Sequence, residues 1–247
     1  MSALYDTIGI DYANLRKPDP RIAAQVDAAL GDARTLLNVG AGAGSYEPRG
    51  RELTALEPSR EMIAQRPEGS APVVQGTAEH LPFADDSFEA VMAILTIHHW
   101  TDKARGLAEM RRVARDRVVL LTYDPAFRGQ WQTEYWPALI GLDEGIMPPM
   151  EFFEQHLGPV DITPVLVPHD CSDGFLYAYW RRPEAYLDAR IRKGSSSFWV
   201  IEGLEDGVQR LEADLASGKW AQHNAGLLKA ESADMGYRLV IAEGLPC

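Results

Sequence analysis

The sequence predicts an α/β protein: a doubly wound, mostly parallel seven-stranded sheet with an α-helical cap. Three observations predict it. The apolar run Leu36-Leu37-Asn38-Val39 feeds directly into Gly40-x-Gly42-x-Gly44, a strand followed by a turn in which the backbone bends sharply and a ligand can approach closely. A second apolar run, Leu53-Thr54-Ala55-Leu56, closes in Glu57, where a carboxylate can accept two hydrogen bonds from a ribose diol. The remaining apolar runs are continuous rather than alternating, as strands covered on both faces require.

The elements follow in order. Asp19-Pro20 reads as an N-cap and a first-turn proline, and Ile22, Val26 and Leu30 recur behind it at helical spacing. Strands are expected at residues 35–39, 53–57, 72–75, 90–95 and 118–123. Leu107, Met110 and Val113 mark a helix starting near Thr101-Asp102, a right-handed crossover between the fourth and fifth strands. Two more strands are expected at 161–167 and 237–243. Between them, Pro183-Glu184 opens one expected helix, and Val208, Leu211 and Leu215 lie on a second that Gly218 closes. A further extra segment, 127–149, precedes a helix at 152–157. Both insertions leave the C-terminal side or edge of the sheet, where open α/β folds bind ligands. They are expected to cover the substrate.

Composition bounds the function. At 247 residues the chain can bury one sizeable core. A net charge of −12 argues against a surface built to neutralise phosphates, so nucleic acid is not an expected partner. Cys171 and Cys247 are too few for a secreted disulfide framework. No run approaches the ~20 apolar residues of a membrane span, and residues 1–11 show no leader pattern. A cytoplasmic location without a membrane span is expected; the oligomeric state is not legible.

Two nucleoside ligands compete for the glycine turn. A dinucleotide site calls for G-x-G-x-x-G, but Ser45 and Glu47 stand near the place of the third glycine. Pro48 and Gly50 also leave any following helix short or absent, so no helix N-terminus is offered to a pyrophosphate. A sulfonium ligand with an amino acid tail and no phosphate, S-adenosylmethionine, fits better. A lone glycine-rich turn is equally compatible with a tight strand-to-helix connection.

The neighbouring block is more specific. Gly76-Thr77-Ala78-Glu79-His80-Leu81-Pro82-Phe83-Ala84-Asp85-Asp86-Ser87-Phe88-Glu89 resembles the region around the fourth strand of class I S-adenosylmethionine-dependent methyltransferases. The branch it resembles is the ubiquinone- and menaquinone-biosynthesis type (methyltransferase type 11), where the pattern reads roughly Asp-Ala-Glu-x-Leu-Pro-Phe-x-Asp-x-Ser-Phe-Asp. The resemblance spans about residues 36–123. It implies a Rossmann-like methyltransferase fold whose last two strands form an antiparallel hairpin. It also implies S-adenosyl-L-methionine as cofactor and a small-molecule methyl acceptor as partner.

By that resemblance Gly40 and Gly42 line the methionine end, Glu57 holds the ribose, and Thr77, Ala78 and Glu79 lie along the adenine, while Asn38, Ala41, Pro58 and Leu95 are further cofactor-binding candidates. Asn38 and Thr77 stand where the family usually has Asp; each loses a charge and keeps a hydrogen-bonding group. The segment from Tyr5 to Arg16 resembles the family's mobile lid, which implies Tyr12 and Arg16 near the donor's tail. The resulting organisation is a single domain: a helical lid at 1–30, a donor-binding core at 31–125, cap insertions at 126–158 and 170–235, and final strands at 159–168 and 236–247.

Methyl transfer needs alignment, water exclusion and, for hydroxyl or carbon acceptors, a base. His98-His99-Trp100 follows the fourth strand, where related enzymes often carry a His-His pair. His99 is the first catalytic candidate, because a neutral imidazole accepts a proton near pH 7. His98 reads as packing, and Asp124 is a candidate to orient His99. In Pro168-His169-Asp170-Cys171, His169 and Asp170 are candidates to reach the acceptor. That cluster lacks metal-ligand spacing, and no metal is expected. Rings at Phe127, Trp131, Tyr135, Trp136, Phe175, Tyr177, Tyr179, Trp180, Phe198 and Trp199 suit either the core of the cap or an acceptor pocket.

The expected function is methyl transfer from S-adenosylmethionine to a small organic acceptor, apolar or aromatic. The alternatives are a non-catalytic S-adenosylmethionine-binding domain and a nucleotide-dependent oxidoreductase.

Overall fold

Five parallel strands form first, each an apolar run short enough to cross the molecule once: β1 (Thr35–Val39), β2 (Glu52–Glu57), β3 (Val73–Gln75), β4 (Phe88–Ile94) and β5 (Ala114–Tyr123). β6 (Val160–Pro168) and β7 (Ser232–Glu243) complete the sheet as an antiparallel pair, with β7 antiparallel to β5. The order β3-β2-β1-β4-β5-β7-β6 reverses direction of growth between β1 and β4, the switch point where such sheets leave a crevice. This computed structural model describes residues 16–244.

Helix α1 (Pro20–Ala29) begins as its sequence requires: Asp19 caps it, accepting from the Arg21 amide, and Pro20 occupies the first turn. Its buried residues Ile22, Val26 and Ala29 face the sheet. The short α2 (Arg60–Ala64) follows β2. Helix α3 (Lys103–Val113), capped by Asp102, buries Leu107, Met110 and Val113 on the opposite face. Two apolar clusters result, one on each side of the sheet.

The segments between β5 and β6 and between β6 and β7 are helical in part. The first contains α4 (Gln132–Tyr135), α5 (Ala138–Ile146) and α6 (Met150–Leu157). The second contains α7 (Ala189–Arg192), α8 (Leu204–Ala216) and α9 (Lys219–His223). Pro183-Glu184 opens only a 3-10 turn, Pro183–Leu187, rather than the expected helix, because Asp188 turns the chain and caps α7 instead. Gly218 does not simply end α8. Its φ of +77° joins α8 to α9, a left-handed geometry that favours glycine.

Most of the aromatic residues in these segments pack on one another. Trp131 meets Tyr135, Tyr186 and Trp220 edge to face, and Trp136 meets Phe198 in the same way. Such pairs add to the area they bury. Some of their polar edges are satisfied, Trp131 Nε1 donating to the Trp180 carbonyl and Trp180 Nε1 to that of Val167, whereas Trp220 Nε1 is buried without a hydrogen-bond partner among the described residues. Trp199, by contrast, is 47% exposed.

Candidate active site

Gly40 and Gly42 follow β1 with φ of +69° and +55°. At Gly40 a side chain is doubly excluded, since a Cβ would stand 2.2 Å from Thr96 Oγ1. The turn is fastened to β2: the amides of Gly40 and Ala41 donate to the Leu56 carbonyl, and the Gly42 amide donates to Glu57 Oε2 at 2.8 Å. Glu57 Oε1 accepts from the Ser59 amide at 2.9 Å. Residues 40–51 contain turns and no helix, as Pro48 and Gly50 led one to expect.

Around this turn lies a cleft of about 710 Å³. Its lining includes Asn38, Gly40, Ala41, Gly42, Glu57, Pro58, Thr77, Ala78, Glu79 and Leu95. Every residue that the resemblance placed around the donor, Tyr12 apart, therefore borders one space, and Arg16 borders it too. Tyr12 lies outside the described residues. Asn38 Nδ2 donates to Glu47 Oε1, while Asn38 Oδ1 is buried with no hydrogen-bond partner. Arg66 fixes Glu47 through both carboxylate oxygens at 2.9 Å. Glu79 is turned toward α3, its Oε1 accepting from the amides of Thr101 and Asp102.

After β4 the chain passes through Leu95, at φ +51°, a backbone conformation rarely adopted by Leu and found preferentially at functional sites. The 3-10 turn Ile97–His99 then presents both histidine rings to the cleft, with centroids 3.8 Å apart. Burial depresses both imidazoles: His99 is pushed down to about 4, with help from the positive charges of Lys103 and Arg16, and His98 falls well below the usual range. Each is neutral at pH 7. His98 Nδ1 is buried without a hydrogen-bond partner among the described residues.

A second, smaller cavity of about 60 Å³ adjoins the cleft. Arg16, Leu95 and His98 border both spaces. Its other walls come from β5, α5, the 174–177 and 194–197 segments and β7, including Tyr123, Asp143, Phe175, Tyr177 and Tyr237. Asp143, on the buried side of α5, accepts from Tyr177 Oη at 2.8 Å, and burial pushes its carboxyl up to about 6. Arg16 is held by Asp173, with Nε 2.6 Å from Oδ1 and Nη2 3.3 Å from Oδ2, while Tyr46 Oη donates to Asp173 Oδ2 at 2.7 Å. These contacts tie the glycine turn to the chain after β6.

Comparison with known proteins assigns the arrangement to a family. The family model described as a methyltransferase domain matches residues 37–122. A solved structure from Anabaena variabilis, described as a methyltransferase from an antibiotic biosynthesis pathway, is 33% identical, covers 92% of this chain and 98% of its own, and superposes with a TM-score of 0.82. The chain belongs to the class I S-adenosylmethionine-dependent methyltransferases. The demethylmenaquinone methyltransferase of Thermobifida fusca is 37% identical over 103 residues, 37% of this chain and 43% of the relative. The match spans about 30% to 46% of the length of the curated relatives. The [4+2]-cyclase SpnF shares the fold at 17% identity, with a TM-score of 0.59 over 98% of this chain and 93% of that one. The fold alone therefore does not dictate methyl transfer.

Three of the sequence candidates are elsewhere. Asp124 borders neither space; its Oδ1 accepts from the Ala126 amide, and its Oδ2 stands 3.7 Å from Arg238 Nη2. The residue serves the turn that its position before proline suggests. His169 also borders neither, lying 3.3 Å from Glu231, and Asp170 pairs with Arg21 at the surface. The chain beyond β6 turns these two outward and sends Asp173 inward. His98, read as a packing residue, borders both spaces. The sequence reading missed Tyr46, Thr96, Asp143 and Asp173. Only Asp143 carried a signal, as one of two adjacent carboxylates, with Glu144, in a helix otherwise without charge.

Proposed function

We propose that this chain transfers the methyl group of S-adenosylmethionine to a small organic acceptor with an apolar or aromatic body, lying in the cleft and reaching the second cavity with its polar end. The observation that supports this reading is the shared wall: Arg16, Leu95 and His98 stand between the large cleft and the small aromatic cavity. The residues of the cleft fit the donor. Glu57 accepts from the Gly42 and Ser59 amides, which fixes its carboxylate in the wall of the cleft, where a ribose diol would meet it. Asn38 Oδ1, without a hydrogen-bond partner among the described residues, can accept from an ammonium group, and the turn at Gly40 and Gly42 borders the cleft directly. Ala78 offers a small buried surface to the adenine.

When bound, S-adenosylmethionine supplies an activated methyl group on a positively charged sulfur, so the chain's part is alignment and exclusion of water. Its histidines, both neutral, set no opposing charge beside that sulfur. Tyr123, Tyr177, Tyr237 and Phe175 give the acceptor a mostly apolar seat.

Isothermal titration with S-adenosylmethionine, S-adenosylhomocysteine and NADH tests the reading. The first two should bind and NADH should not. Glu57→Ala should weaken donor binding about 10- to 100-fold, as expected for loss of charge-assisted hydrogen bonds. Binding of NADH alone, or of none, would overturn it.

A further inference from the structure

We propose that the acceptor is an amine, held as its ammonium by Asp143 in the second cavity and methylated on nitrogen. The inference rests on the methyltransferase reading and adds the substrate class.

Asp143 is only 3% exposed, and among the described residues its carboxylate receives a single hydrogen bond, from Tyr177 Oη at 2.8 Å. No Lys, Arg or His of the described residues stands within ion-pair distance of it; Arg128, the nearby cation, pairs with Glu144 instead. A buried carboxylate without a counter-ion is costly and is suited to a cation that arrives with the ligand. The walls match that charge, since the faces of Tyr123, Tyr177, Tyr237 and Phe175 attract ammonium groups. Arg16 does not oppose it, its guanidinium being matched by Asp173.

Other acceptor classes fit less well. A phenolate or enolate would meet the Asp143 carboxylate as a like charge. An alcohol would leave that charge uncompensated. His98 Nδ1, buried and unpartnered on the wall common to both spaces, can accept one N–H in the tautomer that carries its proton on Nε2 and so orient the nitrogen toward the cleft.

The transfer balances as follows. The bound ammonium gives one proton to Asp143, whose carboxyl, at about 6, is a workable acceptor. The freed nitrogen lone pair forms the N–C bond as the C–S bond breaks, and the bonding pair stays on sulfur as a neutral thioether. The product is a methylated ammonium, and Asp143 returns its proton to solvent.

Binding can be read without turnover. Protein saturated with S-adenosylhomocysteine is titrated with methylamine, benzylamine and 2-phenylethylamine, and with benzyl alcohol as the uncharged analogue. At least one amine should bind, and the alcohol should not. Asp143→Asn, which keeps an acceptor for Tyr177, should weaken the amine at least ~30-fold with S-adenosylhomocysteine affinity unchanged. A second readout needs no variant: wild-type amine affinity should fall as pH drops through 6. The groups around Asp143 are the three tyrosines, raised by burial, His98, depressed by burial, and the guanidinium groups of Arg16 and Arg128.

Alcohol binding equal to amine, amine affinity unmoved by Asp143→Asn or by pH, or no saturation by any amine would overturn the proposal. Failure of wild type to bind S-adenosylhomocysteine would instead overturn the methyltransferase reading beneath it.

Discussion

Single side chains in this site do structural and chemical work at once. Glu57 shows it: the carboxylate proposed to receive a ribose also satisfies the Gly42 and Ser59 amides. Glu57→Ala should thus lower stability as well as donor affinity, by about 2 kcal/mol for donors left without their acceptor, measured by urea unfolding without ligand. An unchanged midpoint would limit Glu57 to ligand binding. Gly40→Ala should be more damaging, because strain at φ +69° joins the 2.2 Å approach to Thr96 Oγ1; a loss of about 2–4 kcal/mol is expected, and a wild-type melting curve would refute it.

The histidines set an acid limit. Their folded values lie below the unfolded value near 6.5, so the proton is bound more readily by the unfolded chain. The stability they contribute is complete above 6.5 and is lost as pH falls toward 4, by about 3 kcal/mol for His99 alone. Asp143, raised to about 6, acts in the opposite sense, favouring the fold below its unfolded value and losing that contribution as pH rises through 6. Comparing wild type with His99→Asn isolates the imidazole. The stability gap between the two proteins should change sharply between pH 6.5 and 4, and a constant gap would show that His99 is not desolvated as described.

At the level of elements, α1 is anchored more firmly than its ten residues suggest. Burial alone would raise the Asp19 carboxyl, but hydrogen bonds from the Arg21 guanidinium and from the Ser172 and Arg21 amides hold it well below the ordinary range. The N-cap therefore also fastens the chain that follows β6. Asp19→Ala should cost at least the ~1 kcal/mol of a lost cap, and hydrogen exchange should accelerate at both the first turn of α1 and the Ser172 amide. Acceleration at α1 alone would show that the two segments are not joined through this residue.

The elements also show where sequence was sufficient. Strands β1 to β7 were legible because each holds an apolar run, although β5 and β7 begin at Ala114 and Ser232, ahead of the runs expected at 118–123 and 237–243, and α1 and α3 were legible because Asp19 and Asp102 announce them. The segment after Pro183 was misread because a proline start is common to a helix and to a 3-10 turn. Only the capping competition at Asp188 decides between them.

For the molecule as a whole, the donor side of the site was readable and the acceptor side was not, for a geometric reason. The donor residues come from strand ends whose order the sheet imposes, so spacing along the chain maps onto space. The second cavity draws on β5, α5, the chain after β6, the 194–197 segment and β7 at once. No local pattern links Asp143 to Tyr177, or Arg16 to Asp173 across 157 residues. Asp124 and His169 were assigned from their nearness to strand ends, and short turns aimed both away.

The wall of Arg16, Leu95 and His98 has a thermodynamic corollary. Because the same three side chains face both compartments, any settling they undergo for one occupant is inherited by the other. Coupling of this kind is symmetric by the closure of a binding cycle: the factor by which S-adenosylhomocysteine sharpens retention of an amine must equal the factor by which the amine sharpens retention of S-adenosylhomocysteine. Softening the partition with Leu95→Ala should shrink both factors together, leaving two neighbours that no longer sense each other.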